Sequence, residues 1–517
     1  MMMSIALWFT LMQLDPTFGN EGVLALEFEG YDSRFEAVSV LPDGRILAIG
    51  SRTTTEEAAV FVTLRLADGG ADTSFADNGL LLLEAEAGDG LEPVAVFQQD
   101  TRFLVVVNRG FYALNHQGVL DAQFGEGGFL PLAVPWPVSL NKAVETADGN
   151  ILVAGGVTRY GADEDAFFAR LTSQGVLDPS FGGSGYRVFS LHGNERVSHL
   201  ALPESGGILF AVDQWQPSRW TFIGRIGADG EPDETHGFAG WLDRPLSGTN
   251  IFRDHRPGGF GMDPRTGRYL VGLNGLNGLS SRYLAVFSAD GTRDESLDNR
   301  IGTGHVPISH IQVQRNGGIW VVRSTLMRLY QSDGTLDPRF GSNGTYYAPV
   351  QPRAVHLTED RRILLPGYAD ADGRKARLAR LTALPCNPLG TVLLSPQDSF
   401  CLTVDTRLTV TAAGAESYQW FHNGMVIAGA DSAELSLVAE DPHVAGTYRC
   451  VVRGDCFDDG VVLETVVTTC SISAVLLAAL PAWQGDQPDA NLCENGNPSI
   501  VDFVAFINRG NACPTAE

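Results

Sequence analysis

The sequence predicts an all-β protein: a seven-bladed β-propeller, followed by a smaller β-sandwich and a short cysteine-bracketed C-terminal tail. Three observations predict it. First, 59 glycines and 26 prolines in 517 residues, without collagen-like periodicity, favour many tight turns over long helices. Second, a nine-residue phrase recurs as LDPTFGNEG (14–22), LDAQFGEGG (120–128), LDPSFGGSG (177–185) and LDPRFGSNG (336–344), with blurred copies between. Third, an apolar hairpin phrase recurs between those copies, as in PDGRILAIG (42–50), ADGNILVAG (147–155) and NGGIWVV (316–322).

The repeat sets the element count. Its aspartate falls at Asp15, Asp72, Asp121, Asp178, Asp233, Asp294 and Asp337, a mean spacing of about 54 residues, which lies in the range of propeller blades. Each unit reads as four strands. In the first, GVLALEF follows the nine-residue phrase, FEAVSVL leads into an Asp43-Gly44 turn, RILAIGS returns, and VFVTLRL runs to a turn at Asp68-Gly69. Asp-Gly between apolar runs matches the twist of a two-stranded hairpin, so the middle pair is expected to be one. Radial stacking would bury both faces of each sheet, which accounts for continuous apolar runs such as ILVAGG.

Within the nine-residue phrase, Asp-Pro sets a corner and Gly supplies positive φ before the next strand. The aromatic remains as a wedge. Phe18, Phe75, Phe124, Phe181 and Phe340 are expected to plug successive blades, with Leu297 in the sixth copy and His236 in the fifth, the histidine read as a packed, hydrogen-bonded imidazole. An LDxSFG phrase, a QPDGKI-like hairpin and a closing ARL strand together resemble the delta-60 repeat family over roughly 14–383. That resemblance implies a propeller in a secreted or surface-exposed bacterial protein, and implies no particular reaction.

In an up-and-down blade the nine-residue phrase and the Asp-Gly hairpin share one end. The opposite loops differ from unit to unit: PWPVSLN (135–141), TRYGADED (158–165), DQWQPSRW (213–220), SGTNIFRDHRPGG (247–259) and NGLNGLSSR (274–282). Variation confined to one end of a repeat array marks a binding surface, and Trp136, Tyr160, Trp215, Trp220, Arg253, Asp254 and His255 would offer it aromatic platforms and polar groups for an extracellular glycan or protein. The formal charge of −25 argues against nucleic acid or an anionic bilayer as partner. Catalytic signatures are lacking: there is no G-x-S-x-G, H-E-x-x-H or Walker loop. No cofactor is called for; the acidic loops at 162–165 and 370–373 are weak Ca²⁺ candidates that lack a complete ligand series. The expectation is therefore non-enzymatic binding or adhesion. The alternatives are a glycosidase or lyase with carboxylates at the propeller channel and a structural spacer.

Prolines in LPCNPLG (384–390) end the repeats. Residues 390–470 resemble an immunoglobulin-like domain, with SYQWFHNGMVIAG carrying the buried Trp420 of strand C and AGTYRC placing Tyr448 two residues before Cys450, as in a tyrosine corner. Strand B has Val410 where the family has its cysteine, which leaves Cys450 a buried free thiol. The resemblance implies Cys401 paired with Cys470 and Cys386 with Cys456, one pair at each pole; Cys493 and Cys513 would bracket a tail at 480–514. The tail superficially resembles half a dockerin, but Cys493 and Ile500 occupy ligand positions. All seven cysteines lie after residue 385, a clustering that suggests an oxidising compartment. Residues 1–13 read as an incomplete signal or a first strand, and no segment is long and apolar enough for a membrane span.

Overall fold

The computed structural model describes residues 13–469 apart from short interruptions, chief among them 85–89, 243–253, 276–281, 302–305, 383–390 and 455–460. The chain divides into two compact units, Met1–Pro385 and Cys386–Glu517. The first is a β-propeller. Its described strands form seven antiparallel sheets in chain order, spanning 32–84, 93–131, 138–189, 194–242, 255–287, 310–347, and 351–381 together with Val23–Leu26.

The third sheet shows the pattern. Val138–Glu145 pairs with Ile151–Arg159, which pairs with Asp163–Leu171, which pairs with Tyr186–Phe189. The strand after each nine-residue phrase thus belongs to the sheet before the phrase, whereas the sequence assigned it to the sheet after. The turn itself is the reason. Asp178 N–H donates to Arg170 C=O at 2.9 Å and Arg170 N–H to Gly185 C=O at 2.9 Å, so the chain leaving the turn lies back along the strand that entered it. No described strand precedes the first copy, and Val23–Leu26 pairs with Ala376–Ala379 of the last sheet, about 350 residues later. One long-range pairing thereby joins the two ends of the repeat array.

In each phrase the aspartate does more than shape a turn. Asp178 accepts from Ser180 N–H (3.0 Å) and Oγ–H (2.6 Å) and takes the Arg170 guanidinium at 2.8 Å. Asp72 does the same with Ser74 and Arg45, Asp233 with Thr235 and Arg225, and Asp15 with Thr17, Arg380 and Arg362. The hydroxyl bond of Ser180, with the Arg170 charge behind it, holds Asp178 below the ordinary carboxylate range. In the sixth copy the aspartate changes role. Asp294 Oδ1 accepts from the backbone N–H of Ser296 and Leu297, both at 3.1 Å, capping a short helix, Glu295–Ile301, that stands where other units have the corner carrying the wedge residue.

Apolar clusters lie between consecutive sheets. Phe18 is buried among Ile46 and Phe61 of the first sheet and Leu364 and Leu378 of the last. Phe75 lies between the first and second, Phe124 between the second and third, and Phe181 between the third and fourth. Leu297 joins the fifth to the sixth, and Phe340 packs edge-on against Trp320 at 4.6 Å. His236 is fully buried, its ring 3.3 Å from Ala289 O and 3.4 Å from the Tyr269 hydroxyl, as expected of a packed imidazole.

The second unit has two sheets among its described residues. One orders Val392–Ser395, Thr406–Ala412 and Glu434–Leu437; the other orders Phe400–Leu402, Val461–Thr469, Gly446–Gly454, Ala415–His422 and Met425–Val426. Between them lies a core of Trp420, Val410, Leu408, Tyr448 and Cys450. Trp420 Nε1–H donates to Ser432 O at 2.9 Å and Tyr448 O–H to Val444 O at 2.9 Å, so both buried polar tips are satisfied. Cys450 is a buried free thiol, which burial pushes up to about 11. Cys401 sits opposite Thr468 in a parallel pair. Cys386, Cys456, Cys470, Cys493 and Cys513, like residues 1–12 and the tail at 480–514, lie outside the described residues, and no disulfide forms among those described.

Candidate functional site

The propeller's first strands share an irregularity. The register shifts by one residue at Glu36, Val94, Asn141, Ser198 and Gly258, each within the first strand of its sheet. A bulge of this kind bends a strand and re-aims a side chain. At Gly258 there is no room for one: a Cβ would stand 1.9 Å from the Asn274 amide and 2.3 Å from Ile308 O. The first strand of the last sheet is broken instead, into Gln351–Pro352 and His356–Leu357, with Arg353 in the gap.

Of these irregular positions Glu36, Val94, Asn141, Ser198 and Arg353 stand in the walls of two cavities of about 270 and 340 Å³. Arg34, Glu36, Val94, Asn141, Lys142, Ser198 and Arg353 line the first; Lys142, Ser198, His199, Phe260, Ser309, His310 and Arg353 line the second. Together the walls draw on all seven sheets, so the cavities lie where the first strands converge, and they share Lys142, Ser198 and Arg353. Glu36 is tied on both oxygens, to Arg34 and to Arg353 (3.0 Å to the latter). The other wall carboxylate, Glu92, is exposed. Lys142, His199 and His310 therefore face the cavity without a carboxylate bonded to any of them.

Electrostatics follows from that enclosure. Burial lowers the Lys142 amine and the nearby Arg353 charge lowers it further, with Glu36 opposing. Burial holds His199 well below an ordinary imidazole, and Lys142 and His310 add to it. His310 is brought to about 4 by burial and then by Lys142. Two polar wall atoms, Asn141 Oδ1 and His310 Nε2, have no hydrogen-bond partner among the described residues. A chain of net charge −25 has thus gathered Arg34, Lys142, Arg353, two imidazoles and unsatisfied polar atoms, against the single half-buried carboxylate of Glu36, around two cavities that share Lys142 and Arg353. That arrangement suits an anion.

The residues expected to bind from the variable loops lie elsewhere. Trp136 is half-buried, edge-on to Tyr186 at 6.1 Å with the Arg159 guanidinium 5.8 Å from its ring. Trp215 is covered by Arg196 at 4.8 Å, and Trp220 stacks on Phe222 at 6.2 Å. Asp254 N–H donates to Arg219 O at 2.9 Å, and the adjacent His255 is buried with its carbonyl accepting from Thr221 Oγ1 at 3.1 Å. Trp220, Asp254 and His255 therefore meet at the edge between the fourth and fifth sheets, while Trp136 and Trp215 are each occupied by an arginine of their own neighbourhood. Tyr160 and Arg253 lie outside the described residues. In the acidic loop at 162–165, Asp165 pairs with Arg159 at 2.8 Å.

Sequence reasoning missed the cavity residues, yet a signal exists. Glu36, Asn141, Ser198, Ser309 and Arg353 each stand eight residues before the positive-φ residue of the hairpin that follows, at Gly44, Gly149, Gly206, Gly317 and Arg361. In every one of these units a polar side chain recurs at one fixed place relative to the turn.

Comparison with known proteins bears on the fold. A family model described as a domain of unknown function forming a β-propeller (DUF5122) matches residues 146–181, which run from the first hairpin turn of the third sheet to Phe181. No curated protein matches the sequence. Among solved structures, the Pan2 WD40 domain of Neurospora crassa aligns over 69% of this chain and 94% of its own at 10% identity and a TM-score of 0.40. The polysaccharide lyase Uly1 aligns over 68% and 90% at 11% identity and 0.41, and a calcium-binding regucalcin from Agrobacterium tumefaciens over 56% and 91% at 15% and 0.33. Likeness at this level concerns the propeller fold alone.

Proposed function

We propose that this protein is a secreted or cell-surface binding protein: a seven-bladed propeller of delta-60 type, followed by an immunoglobulin-like domain, whose central cavity takes an anionic group of an extracellular ligand. Carboxylate or sulfate on a saccharide fits the cavity's size and its mixture of cations and neutral donors. The observation that carries this is the gathering of Lys142 and Arg353, with Arg34 on one side and His199 and His310 on the other, around two cavities that share the bulge residue Ser198. The clustering of cysteines after residue 385 supports the extracellular assignment. An adhesive surface on the variable loops has less support, because Trp136 and Trp215 are covered by Arg159 and Arg196. A carboxylate-based hydrolase has less support as well, since Glu36 is held between two arginines.

Titration calorimetry with glucuronate and with sulfate tests the reading. A charge about 4 Å from a bound anion contributes on the order of 4 kcal/mol at an effective dielectric of 20. Desolvation of the anion offsets part of that, so Lys142→Met should weaken binding roughly 30- to 100-fold, equivalent to about 2–3 kcal/mol. Equal affinity in the parent and in Lys142→Met, or no binding of either anion, would overturn the assignment.

A further inference from the structure

Resting on that reading, we infer that the central cavity captures its anion together with a proton, the proton being taken up by the wall formed by Lys142, His199 and His310. The ligand class is an oxyanion, carboxylate or sulfate, held more tightly in mildly acidic than in neutral surroundings.

The groups facing this wall come from every sheet that lines the two cavities. The first sheet contributes Arg34 and Glu36, the second the exposed Glu92, the third Lys142, and the fourth His199 beside Ser198. The fifth contributes only Phe260, whose ring lies 6.1 Å from that of His199; the sixth gives His310 and the last Arg353. Glu36 is the carboxylate whose charge favours the charged amine, and both its oxygens are engaged by Arg34 and Arg353. His199 Nδ1 meets only the hydroxyl of Ser198, at 3.1 Å, and His310 Nε2 has no hydrogen-bond partner among the described residues. No carboxylate among the described residues is hydrogen-bonded to any of the three: burial is the first obstacle to charging each of them, Lys142 adds to it at both imidazoles, and at Lys142 itself Arg353 adds to it while Glu36 opposes.

An anion entering the cavity supplies the missing counter-ion. It favours the charged form of whichever base it touches, so protonation and binding reinforce each other. Reciprocity then fixes the sign: if the anion draws a proton in, an excess of protons draws the anion in. Uptake of one proton per anion would make affinity rise up to tenfold for each unit by which the pH is lowered.

Sulfate and glucuronate keep a constant charge between pH 5 and 8, so any pH dependence of their binding belongs to the protein. Titration calorimetry of the full chain from pH 8 to pH 5.5, in buffers of different ionisation heat, should show affinity rising at least fivefold per unit over part of the range, with a buffer-dependent heat reporting proton uptake. His199→Gln combined with His310→Gln should flatten the slope, whereas His356→Gln, outside both cavities, should leave it unchanged. Binding that is pH-independent and releases no buffer heat would overturn the inference while leaving the anion site standing. Failure of both anions to bind at every pH would overturn both. Glucuronate bound more tightly than sulfate at equal pH would identify an acidic sugar as the source of the charge; the reverse order would identify a sulfate ester.

Discussion

The joining of the first and last sheets makes a quantitative prediction about Phe18. Its ring is fully buried between Ile46 and Phe61 on one side and Leu364 and Leu378 on the other, residues more than 300 positions apart, with the Arg380 guanidinium 4.6 Å above it. Truncation to alanine in a packed core costs about 3–5 kcal/mol, and loss of the cation–π contact adds about 0.5–1 kcal/mol. Phe181 supplies an internal standard, since it holds the same place between the third and fourth sheets with Arg170 at 5.4 Å. If the seam joining the chain's ends is as tight as an interior one, Phe18→Ala and Phe181→Ala should lower the unfolding free energy by similar amounts, about 4 kcal/mol each. Urea denaturation followed by intrinsic fluorescence and circular dichroism measures both. A Phe18→Ala variant within about 0.5 kcal/mol of the parent, beside a Phe181→Ala variant that loses the full amount, would refute the closed ring and with it a cavity walled by all seven sheets.

Three further predictions concern named side chains. Asp178→Asn should cost roughly 1.5–3 kcal/mol at pH 7 by removing a charged hydrogen-bond acceptor from Arg170 and Ser180. Because the native Asp178 pKa is lowered, its contribution is present above about 3.8 and is lost as pH falls through the native value, so variant and parent should converge in stability as the pH is lowered beneath 3.8. Glu195 has the opposite sign: burial raises it to about 7, so its stabilising contribution is full below 4.5 and lost as pH rises through 7. Glu195→Gln should therefore be more stable than the parent at pH 8 by roughly 2 kcal/mol and equal to it near pH 4.5, as thermal scans at the two pH values would show. Cys450, buried and pushed up to about 11, should resist iodoacetamide in the native protein and be alkylated once the second unit unfolds, as read by mass spectrometry of its peptide.

Much of the fold was legible because its signals are short-range. Asp-Gly turns and the LDxSFG corners depend on residues a few positions apart, and the buried Phe wedges follow from apolar side chains at a fixed place beside those corners. His236, read as a packed imidazole, lies in such an environment. The binding residues were read less well. Aromatic side chains in variable loops looked available from the sequence, yet Trp136 and Trp215 are covered by Arg159 and Arg196, which approach them from other strands of their sheets. The cavity escaped notice because Glu36, Asn141 and Ser198 look like ordinary polar residues of half-exposed strands.

By itself, then, the sequence determined which residues turn the chain and that the chain is all-β and propeller-like ahead of a second, cysteine-bearing region. The tertiary structure decided which strand belongs to which sheet, because Val23–Leu26 has no partner until Ala376–Ala379 arrives. It also decided which side chains meet at the centre. A strand's facing direction alternates residue by residue, so a register shift of one sends a different set inward, and that shift is fixed by pairing with the neighbouring strand. The meeting of Lys142, His199, His310 and Arg353 follows from four such strands being brought around one axis, a relation that no local stretch of the chain contains.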